Sequence, residues 1–249
     1  MKVDSITYQS YERLSSMQRI NQSSDDPAGL AISEKLDMQI KGTEQGTENA
    51  LDMSNLLNTA EGSLDSIHEN LQRMRELAVQ ASNGILSNDD KAILQQEINQ
   101  LKSSIGDSVK NTEFNSIKLL DGTFTNKNAA INSSGTGMKM HIKNTGLEAL
   151  GIENFDVTKD FNIEDLDNAI EKVSSSRSDL GASNNRLSHA VNYNRISSYN
   201  QTEANSRIVD LDIGKEIINL QRNKILDQYK FFSQKQSSMQ LQQNMSILL

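Results

Sequence analysis

Few side chains in this sequence are of the types that carry out catalysis or bind metals. The chain has no cysteine, which excludes disulfides and thiolate metal ligands. Its three histidines, His68, His141 and His189, lie far apart, with no spacing typical of a metal-binding pair. His68 and Glu69 begin like a zinc-protease motif, but no second histidine follows at the spacing that the motif requires. We therefore expect no catalytic residue, no cofactor site and no metal site.

Two acidic residues, Asp25 and Asp26, precede Pro27, the single proline of the sequence. Adjacent carboxylates can suggest a metal site, but helix capping explains this sequence better. A side-chain oxygen of Asp26 can accept hydrogen bonds from the free amides of a following helix, and proline suits the first helical position. We therefore predict a helix cap at Asp26 and Pro27, with a helix in the segment AGLAISEKLDMQIKG that follows.

The composition favours long helices that share a narrow apolar seam. Aromatic residues make up 4% of the sequence and charged residues 23%, which leaves little apolar surface for a thick multilayer core. Because Pro27 is the only proline, the other residues can form uninterrupted helices. The elements that must position any functional side chain are therefore two or three helices that pack along one another.

The clearest pattern is a stripe of apolar residues at alternating spacings of 3 and 4. A repeat of about 3.5 residues buries a continuous stripe against a partner helix. The stripe consists of Ala50, Met53, Leu57, Ala60, Leu64, Ile67, Leu71, Met74, Ala78 and Ala81. A capping box is then predicted from Ser87 to Asp90, and the short break makes the next helix an antiparallel neighbour. That helix carries Leu94, Ile98, Leu101, Ile105 and Val109.

The middle of the sequence has a different character. Glycine and asparagine cluster from about residue 121, and apolar residues then alternate with polar ones at Met138, Met140 and Ile142. A period of two predicts a half-buried strand, and hence one arm of a small hairpin.

Helix returns at about Ile163, and the pattern predicts that it runs nearly to the C-terminus. Arg177 and Asn184 occupy stripe positions where an apolar residue is expected, and polar residues there cost stability but can fix the register. Apolar positions continue through Ile225, Tyr229 and Phe232 to a terminal Leu248 and Leu249. An apolar end on such a polar protein suggests burial in a partner or a neighbouring copy.

Charge and hydropathy exclude several classes of partner. The net charge is −8 and no long basic stretch occurs, which disfavours nucleic-acid binding. No apolar run approaches the roughly 20 residues of a transmembrane helix, and the N-terminus has no apolar stretch of the signal-peptide type. We expect a soluble protein with no Sec-type signal. The predicted fold class is mainly α: an elongated helical bundle or coiled-coil rod with a small β-hairpin insert.

Five segments in order resemble the bacterial flagellins, and the protein is identified as a member of that family. They are RLSSMQRINQSSDDPAGLAIS (13–33), NLQRMRELAVQAS (70–82), TEFNSIKLLDG (112–122), SRSDLGASNNRLSHAVN (176–192) and EANSRIVDLDIGKEIINLQRNKIL (203–226). The terminal SILL is also similar to the usual apolar ending of the family. The resemblance covers most of the sequence outside residues 123–162, and five ordered motifs are far more specific than any single one.

The resemblance implies a domain arrangement. Residues 1–27 with 213–249 would form a terminal coiled-coil inner domain with a shortened N-terminal part. Residues 28–120 with 163–212 would form a helical bundle core domain, and residues 121–162 a short β-hairpin and loop insert. Because the middle is short, the protein resembles a minimal member that lacks outer domains.

The resemblance also implies a function. The protein would be a non-enzymatic structural subunit, exported by the flagellar type III apparatus and polymerised by helix packing into the extracellular filament used for swimming. Its partners would be other copies of itself, an export chaperone on residues 213–249, the filament cap and the hook-associated junction proteins. The assembly and chaperone segment would include Ile225, Tyr229, Phe232, Leu248 and Leu249.

Three further residues take a role only through the resemblance. Arg73, Leu77 and Glu97 match positions where many flagellins contact vertebrate Toll-like receptor 5. Arg73 and Leu77 are four residues apart and therefore share a helix face. The alternative interpretation is a solvated charged face with Leu77 in subunit packing.

One departure from the family concerns the N-terminal residues. Relatives begin with a first helix longer by roughly 15–20 residues, or about 25–30 Å at 1.5 Å per residue. We expect this difference to weaken polymerisation by the protein alone. The difference suggests a specialised minor flagellin or a sequence whose start is incomplete. A separate alternative to a filament subunit is a hook–filament junction protein, which shares the terminal helices and the Asp-Asp-Pro element.

Overall fold

Helix dominates the computed structural model, which describes the backbone of residues 2–248 and the side chains of residues 8–242. Helical residues make up 72% of the structure, so the mainly α prediction is confirmed. The described helices are Lys2–Ser16 (α1), Pro27–Ala81 (α2), Asn88–Asn111 (α3), Leu147–Leu150 (α4), Ile163–Val209 (α5) and Ile213–Leu248 (α6). The strands are Glu113–Phe114 (β1), Ile117–Lys118 (β2), Lys127–Ala130 (β3) and Gly137–Met140 (β4).

The helix predicted after Pro27 and the apolar stripe beyond it form one continuous helix, α2, of 55 residues. Its stripe is fully buried from Leu57 to Ala81, and Met53 is half-buried. The capping box before α3 is also present, with Asp90 N donating to Ser87 Oγ at 3.2 Å and Ser87 N donating to Asp90 Oδ2 at 3.0 Å. The spacing of apolar residues therefore identified both helices of this part of the protein.

Contacts divide the protein into two compact units. The central unit contains residues Lys41–Ser197, and the terminal unit contains Met1–Ile40 with Ser198–Leu249. In the central unit α3 runs antiparallel to α2, because Asn70 contacts Ser104 whereas Ser63 contacts Thr112. The apolar side chains of α2, α3 and α5 form one core with the two hairpins. The domain boundaries given in the sequence analysis remain a prediction.

Two short hairpins lie in the central unit. β3 pairs with β4 in antiparallel register, Ala129 opposite Met138. The predicted hairpin strand is therefore present at Met138 and Met140, whereas Ile142 lies beyond its end. The tip of this hairpin lies against α2: Asn49 Nδ2 donates to Ala130 O at 2.9 Å, and a Cβ on Gly46 would lie 2.5 Å from Ile131 O. Asn194 of α5 binds the same segment, with its Nδ2 donating to Ile131 O at 2.8 Å.

The other hairpin, β1–β2, was not predicted. Its turn residues Asn115 and Ser116 have positive φ angles of 49° and 63°, the backbone that tight two-residue turns require. Asparagine tolerates this conformation better than most residues, so the Asn-Ser pair was the available signal.

The prediction of one helix from Ile163 to near the C-terminus is wrong, because α5 and α6 are separate. Between them, Arg19 N donates to Val209 O at 2.6 Å and Leu211 N donates to Met17 O at 3.1 Å. Asp212 then caps α6, with its Oδ1 accepting from Lys215 N at 3.0 Å. The break arises from a β-bridge to a distant segment, a cause that local spacing does not reveal.

Candidate assembly and recognition surfaces

Arg73 and Glu97 form an ion pair between α2 and α3. Arg73 Nε donates to Glu97 Oε1 at 2.9 Å, and Arg73 Nη1 donates to Glu76 Oε2 at 3.0 Å. These hydrogen bonds, first to Glu76 and then to Glu97, raise the pKa of the Arg73 guanidinium above its ordinary value. The antiparallel arrangement of the two helices therefore brings two of the three candidate recognition residues together on the surface.

Leu77 lies beneath this surface. Its side chain is only 1% exposed and belongs to the apolar core of the central unit. It follows Met74 by three residues and precedes Ala81 by four, so it lies on the edge of the buried stripe. A partner that contacts this region therefore meets Arg73 and Glu97 directly, whereas Leu77 supports the helix from inside.

The two polar residues in the α5 stripe have polar partners on α2. Arg177 Nε donates to Glu61 Oε1 at 2.8 Å, and its Nη2 lies 2.9 Å from Asp65 Oδ1. The hydrogen bond to Glu61 is the main cause that raises the pKa of Arg177.

Asn184, two helical turns further along α5, accepts from Ser54 Oγ at 2.6 Å and donates to Asn58 Oδ1 at 2.9 Å. Side-chain pairs of this kind are satisfied in only one alignment of α5 against α2, as expected of residues that fix a register.

The Asp-Asp-Pro sequence organises the turn before α2. Asp26 Oδ1 accepts from Gly29 N at 2.9 Å, and α2 begins at Pro27. Asp25 accepts from Arg13 Nη2 at 2.8 Å and from the amides of Asn21 and Gln22 at 3.1 and 3.2 Å.

Burial acts to raise the pKa of Asp25, but the hydrogen bonds from Arg13, Asn21 and Gln22 outweigh burial, so the pKa lies below its ordinary value. Within the described residues, no group of three or more acidic or histidine side chains is arranged to hold a metal ion.

Helix α6 has two different faces. Glu216 and Leu220 are buried, and α1 lies against α6, with Lys224 Nζ 5.4 Å from the centroid of the Tyr11 ring. The opposite side carries an apolar stripe at heptad-type spacings of 7, 4, 3 and 7. This α6 stripe consists of Ile218, Ile225, Tyr229, Phe232 and Met239, all exposed.

The α6 stripe contains the three predicted assembly residues whose side chains the structure describes. Ile225, Tyr229 and Phe232 are 65%, 73% and 70% exposed. The side chain of Leu248 and all of Leu249 lie outside the described residues. Ile218 and Met239 were missing from the predicted site, although their spacing from the other three was the signal that could have identified them. None of the described helices contains an apolar stretch that could span a lipid bilayer.

Comparison with family models gives two matches. Residues 4–125 match the bacterial flagellin N-terminal helical region, and residues 163–249 match the bacterial flagellin C-terminal helical region. The unmatched residues between them contain β3, β4 and α4.

Individual relatives agree with these matches. Flagellin of Halalkalibacterium halodurans is 41% identical over 87% of this protein and 82% of its own length. Flagellin of Bacillus subtilis is 39% identical over 90% of this protein and 87% of its own length. Flagellin FlaB2 of Treponema pallidum is 35% identical over 87% of this protein and 83% of its own.

Two solved structures are also similar. Bacillus cereus flagellin superimposes with a TM-score of 0.50 at 31% identity, over 59% of this protein and 88% of that one. A putative flagellar hook-associated protein from Vibrio parahaemolyticus gives 0.59 at 19% identity, over 75% of this protein and 100% of that one, which shows a shared fold alone. Both family regions and relatives above 30% identity therefore lead to one conclusion: this protein belongs to the bacterial flagellin family.

Proposed function

We propose that this flagellin, a structural subunit that self-polymerises into the extracellular flagellar filament, binds neighbouring copies through the α6 stripe. The observation that carries the proposal is that, among the described residues, α6 has apolar side chains on both sides but a covering helix on one side only. α1 lies against α6, with Tyr11 beside Lys224, and Glu216 and Leu220 of α6 are buried, while the α6 stripe has large apolar side chains exposed to solvent. An apolar stripe at heptad spacing is the surface that a second helix covers in a coiled coil.

Electron microscopy of seeded, salt-induced polymerisation tests this proposal. The double variant Ile225→Ser/Phe232→Ser removes two stripe residues and leaves the α1-facing side of α6 unchanged. We expect it to remain helical by circular dichroism and to form no long filaments.

The control is Ile85→Ser, which removes an even more exposed apolar residue from the loop between α2 and α3. Filaments are expected from this variant. If the double variant elongates seeds as well as the unchanged protein does, the α6 stripe is not the assembly surface.

The same stripe is proposed as the binding site of the export chaperone, because an exposed amphipathic helix suits a chaperone that presents an apolar groove. Chaperone binding and polymerisation would then exclude one another. Titrating the chaperone into a seeded polymerisation reaction should slow filament elongation in proportion to the fraction of subunits that the chaperone has bound. If filaments elongate at an unchanged rate while the chaperone is bound to the subunits, the chaperone and the neighbouring copy do not share a site. The filament cap and the hook-associated junction proteins are proposed partners at the two ends of the filament.

Recognition by vertebrate Toll-like receptor 5 is proposed for the surface formed by Arg73 and Glu97, with Leu77 as its internal support. The support comes from the resemblance at these positions and from the ion pair that holds both side chains on one surface. In receptor-expressing reporter cells, Arg73→Ala and Glu97→Ala should each reduce signalling. Arg207→Ala, which removes an exposed arginine on α5, is the control and should signal normally. If Arg73→Ala and Glu97→Ala both signal fully, the receptor binds a different surface of the protein.

The alternative of a hook–filament junction protein is not favoured. The flagellin models match both ends of the protein, while the hook-associated structure is similar in fold alone.

A further inference from the structure

The loop between α2 and α3 contains the single Asn-Gly sequence of the protein, Asn83–Gly84. Both residues are exposed, and the next residue, Ile85, is 86% exposed. Glycine after asparagine leaves the following amide unhindered, because glycine has no side chain to shield it. The recognition and assembly surfaces described above do not include this loop.

The loop holds the Asn83 side chain along the backbone that follows it. Ile85 N donates to Asn83 Oδ1 at 3.3 Å. This hydrogen bond closes a ring of atoms that includes Cγ of Asn83 and the amide nitrogen of Gly84. It also polarises the carboxamide carbonyl, because a hydrogen bond to the oxygen draws electron density away from Cγ.

The surroundings of Gly84 are open. A Cβ built on Gly84 would have no heavy atom within 4 Å, so the loop has open space around it. In the part of the protein that the structure describes, the amide of Gly84 donates no backbone hydrogen bond that would have to be broken.

From this geometry we propose that Asn83 is a site of spontaneous deamidation. The amide nitrogen of Gly84 loses its proton to water or hydroxide and attacks Cγ of Asn83. The new bond between this nitrogen and Cγ closes a succinimide ring, while the bond between Cγ and Nδ2 of Asn83 breaks and releases ammonia. Water then adds to either ring carbonyl and reopens the ring, giving aspartate or isoaspartate at position 83. No oxidant or reductant takes part.

The product changes the link between the two helices. It places a negative charge just after the end of α2, whose last turn has no basic residue and whose C-terminus already carries a partial negative charge. The isoaspartate form also inserts one additional carbon into the backbone between α2 and α3. Because the loss of ammonia is spontaneous and effectively irreversible, the modified fraction increases with the age of the subunit.

Two other exposed asparagines serve as internal comparisons. Asn115 and Asn132 are each followed by serine, whose side chain hinders the attacking amide. The carboxamide of Asn132 is also held by a hydrogen bond from its Nδ2 to Thr136 Oγ1 at 3.1 Å. We therefore expect Asn83 to react before either of them.

Peptide mass spectrometry of the full-length folded protein tests the proposal. The protein is incubated for increasing times in mildly alkaline and in acidic buffer and is then digested with trypsin, which releases residues 76–91 by cleavage after Arg75 and Lys91. Fragmentation should locate the mass increase at residue 83, with both aspartate and isoaspartate present. The increase should be faster in alkaline buffer, because the Gly84 amide must lose a proton.

The variant Gly84→Ala supplies the matched control, since the loop has room for its methyl group. Loss of nearly all the mass increase at residue 83 in this variant is the expected result. The proposal is overturned if the variant reacts as fast as the unchanged protein, or if Asn115 or Asn132 is modified while Asn83 stays intact.

Discussion

Arg177 illustrates how one polar residue in an apolar seam stabilises the alignment of two helices. Its side chain is 29% exposed and contacts two carboxylates on α2, Glu61 and Asp65. Substitution Arg177→Ala should lower the free energy of unfolding by about 1 kcal/mol, a value reduced from that of a buried charged hydrogen bond because the acids are partly exposed. Urea denaturation followed by circular dichroism measures this loss. Arg207→Ala, which removes an exposed pair within one helix, should have a smaller effect, and an equal effect in the two variants would contradict a specific role for Arg177.

The lowered pKa of Asp25 makes the stability of the terminal unit depend on pH. Its pKa is lowered in the folded protein from an ordinary value of 3.8, so folding favours the ionised form. The stabilisation is therefore fully present above pH 3.8 and is lost as the pH falls through the lower, folded-state pKa.

The substitution Asp25→Asn should therefore destabilise the protein at neutral pH, by about 1.5–3 kcal/mol for hydrogen bonds to a charged group. The difference from the unchanged protein should disappear in strong acid. Urea midpoints measured at neutral and strongly acidic pH check both statements. Asp52→Asn, at an exposed position of α2, serves as the control. A difference that persists unchanged in acid would show that the carboxylate charge is not responsible.

At the scale of elements, α2 provides a matched pair of glycines. A Cβ on Gly46 would lie 2.5 Å from the backbone oxygen of Ile131 in the hairpin tip, whereas a Cβ on Gly62 would meet nothing within 4 Å. Gly46→Ala should destabilise, because overpacking costs about 1–3 kcal/mol and exceeds the roughly 1 kcal/mol gained in helix propensity. Gly62→Ala should stabilise by up to about 1 kcal/mol. Thermal unfolding of both variants checks the opposite signs, and a stabilised Gly46→Ala would show that the hairpin tip does not lie against α2.

Elements that are determined by neighbouring residues in the sequence could be predicted, whereas those that depend on contacts with distant residues could not. The seam from Leu57 to Ala81 follows from spacing alone, and the start of α2 follows from Asp26 and Pro27. The break after Val209 depends on a bridge to the segment around Gln18, which no local pattern contains. Similarly, the spacing placed Arg73 on a helix face, but only the antiparallel pairing of α2 with α3 brings it to Glu97.

At the scale of the whole molecule, burial is unevenly distributed. The central unit has a continuous apolar core, whereas no described side chain from residue 221 to residue 242 is buried. Limited trypsin treatment of the monomer should therefore cut first in α6, at Lys224, Lys230 and Lys235, because cleavage follows local opening. Mass spectrometry of early fragments identifies the sites. Assembly into filaments should protect these lysines, and first cuts within residues 41–197 would contradict this distribution.

The terminal unit has one further consequence, for the order in which the protein folds. The guanidinium of Arg19 donates to the carbonyl of Ile208 across a sequence separation of 189 residues. Closing so long a loop costs conformational entropy before any contact offsets it, and contacts between distant residues form slowly. A polypeptide that is synthesised from its N-terminus cannot complete this unit until α6 has been made. A subunit that lacks either segment of this unit, Met1–Ile40 or Ser198–Leu249, therefore has no complete terminal unit.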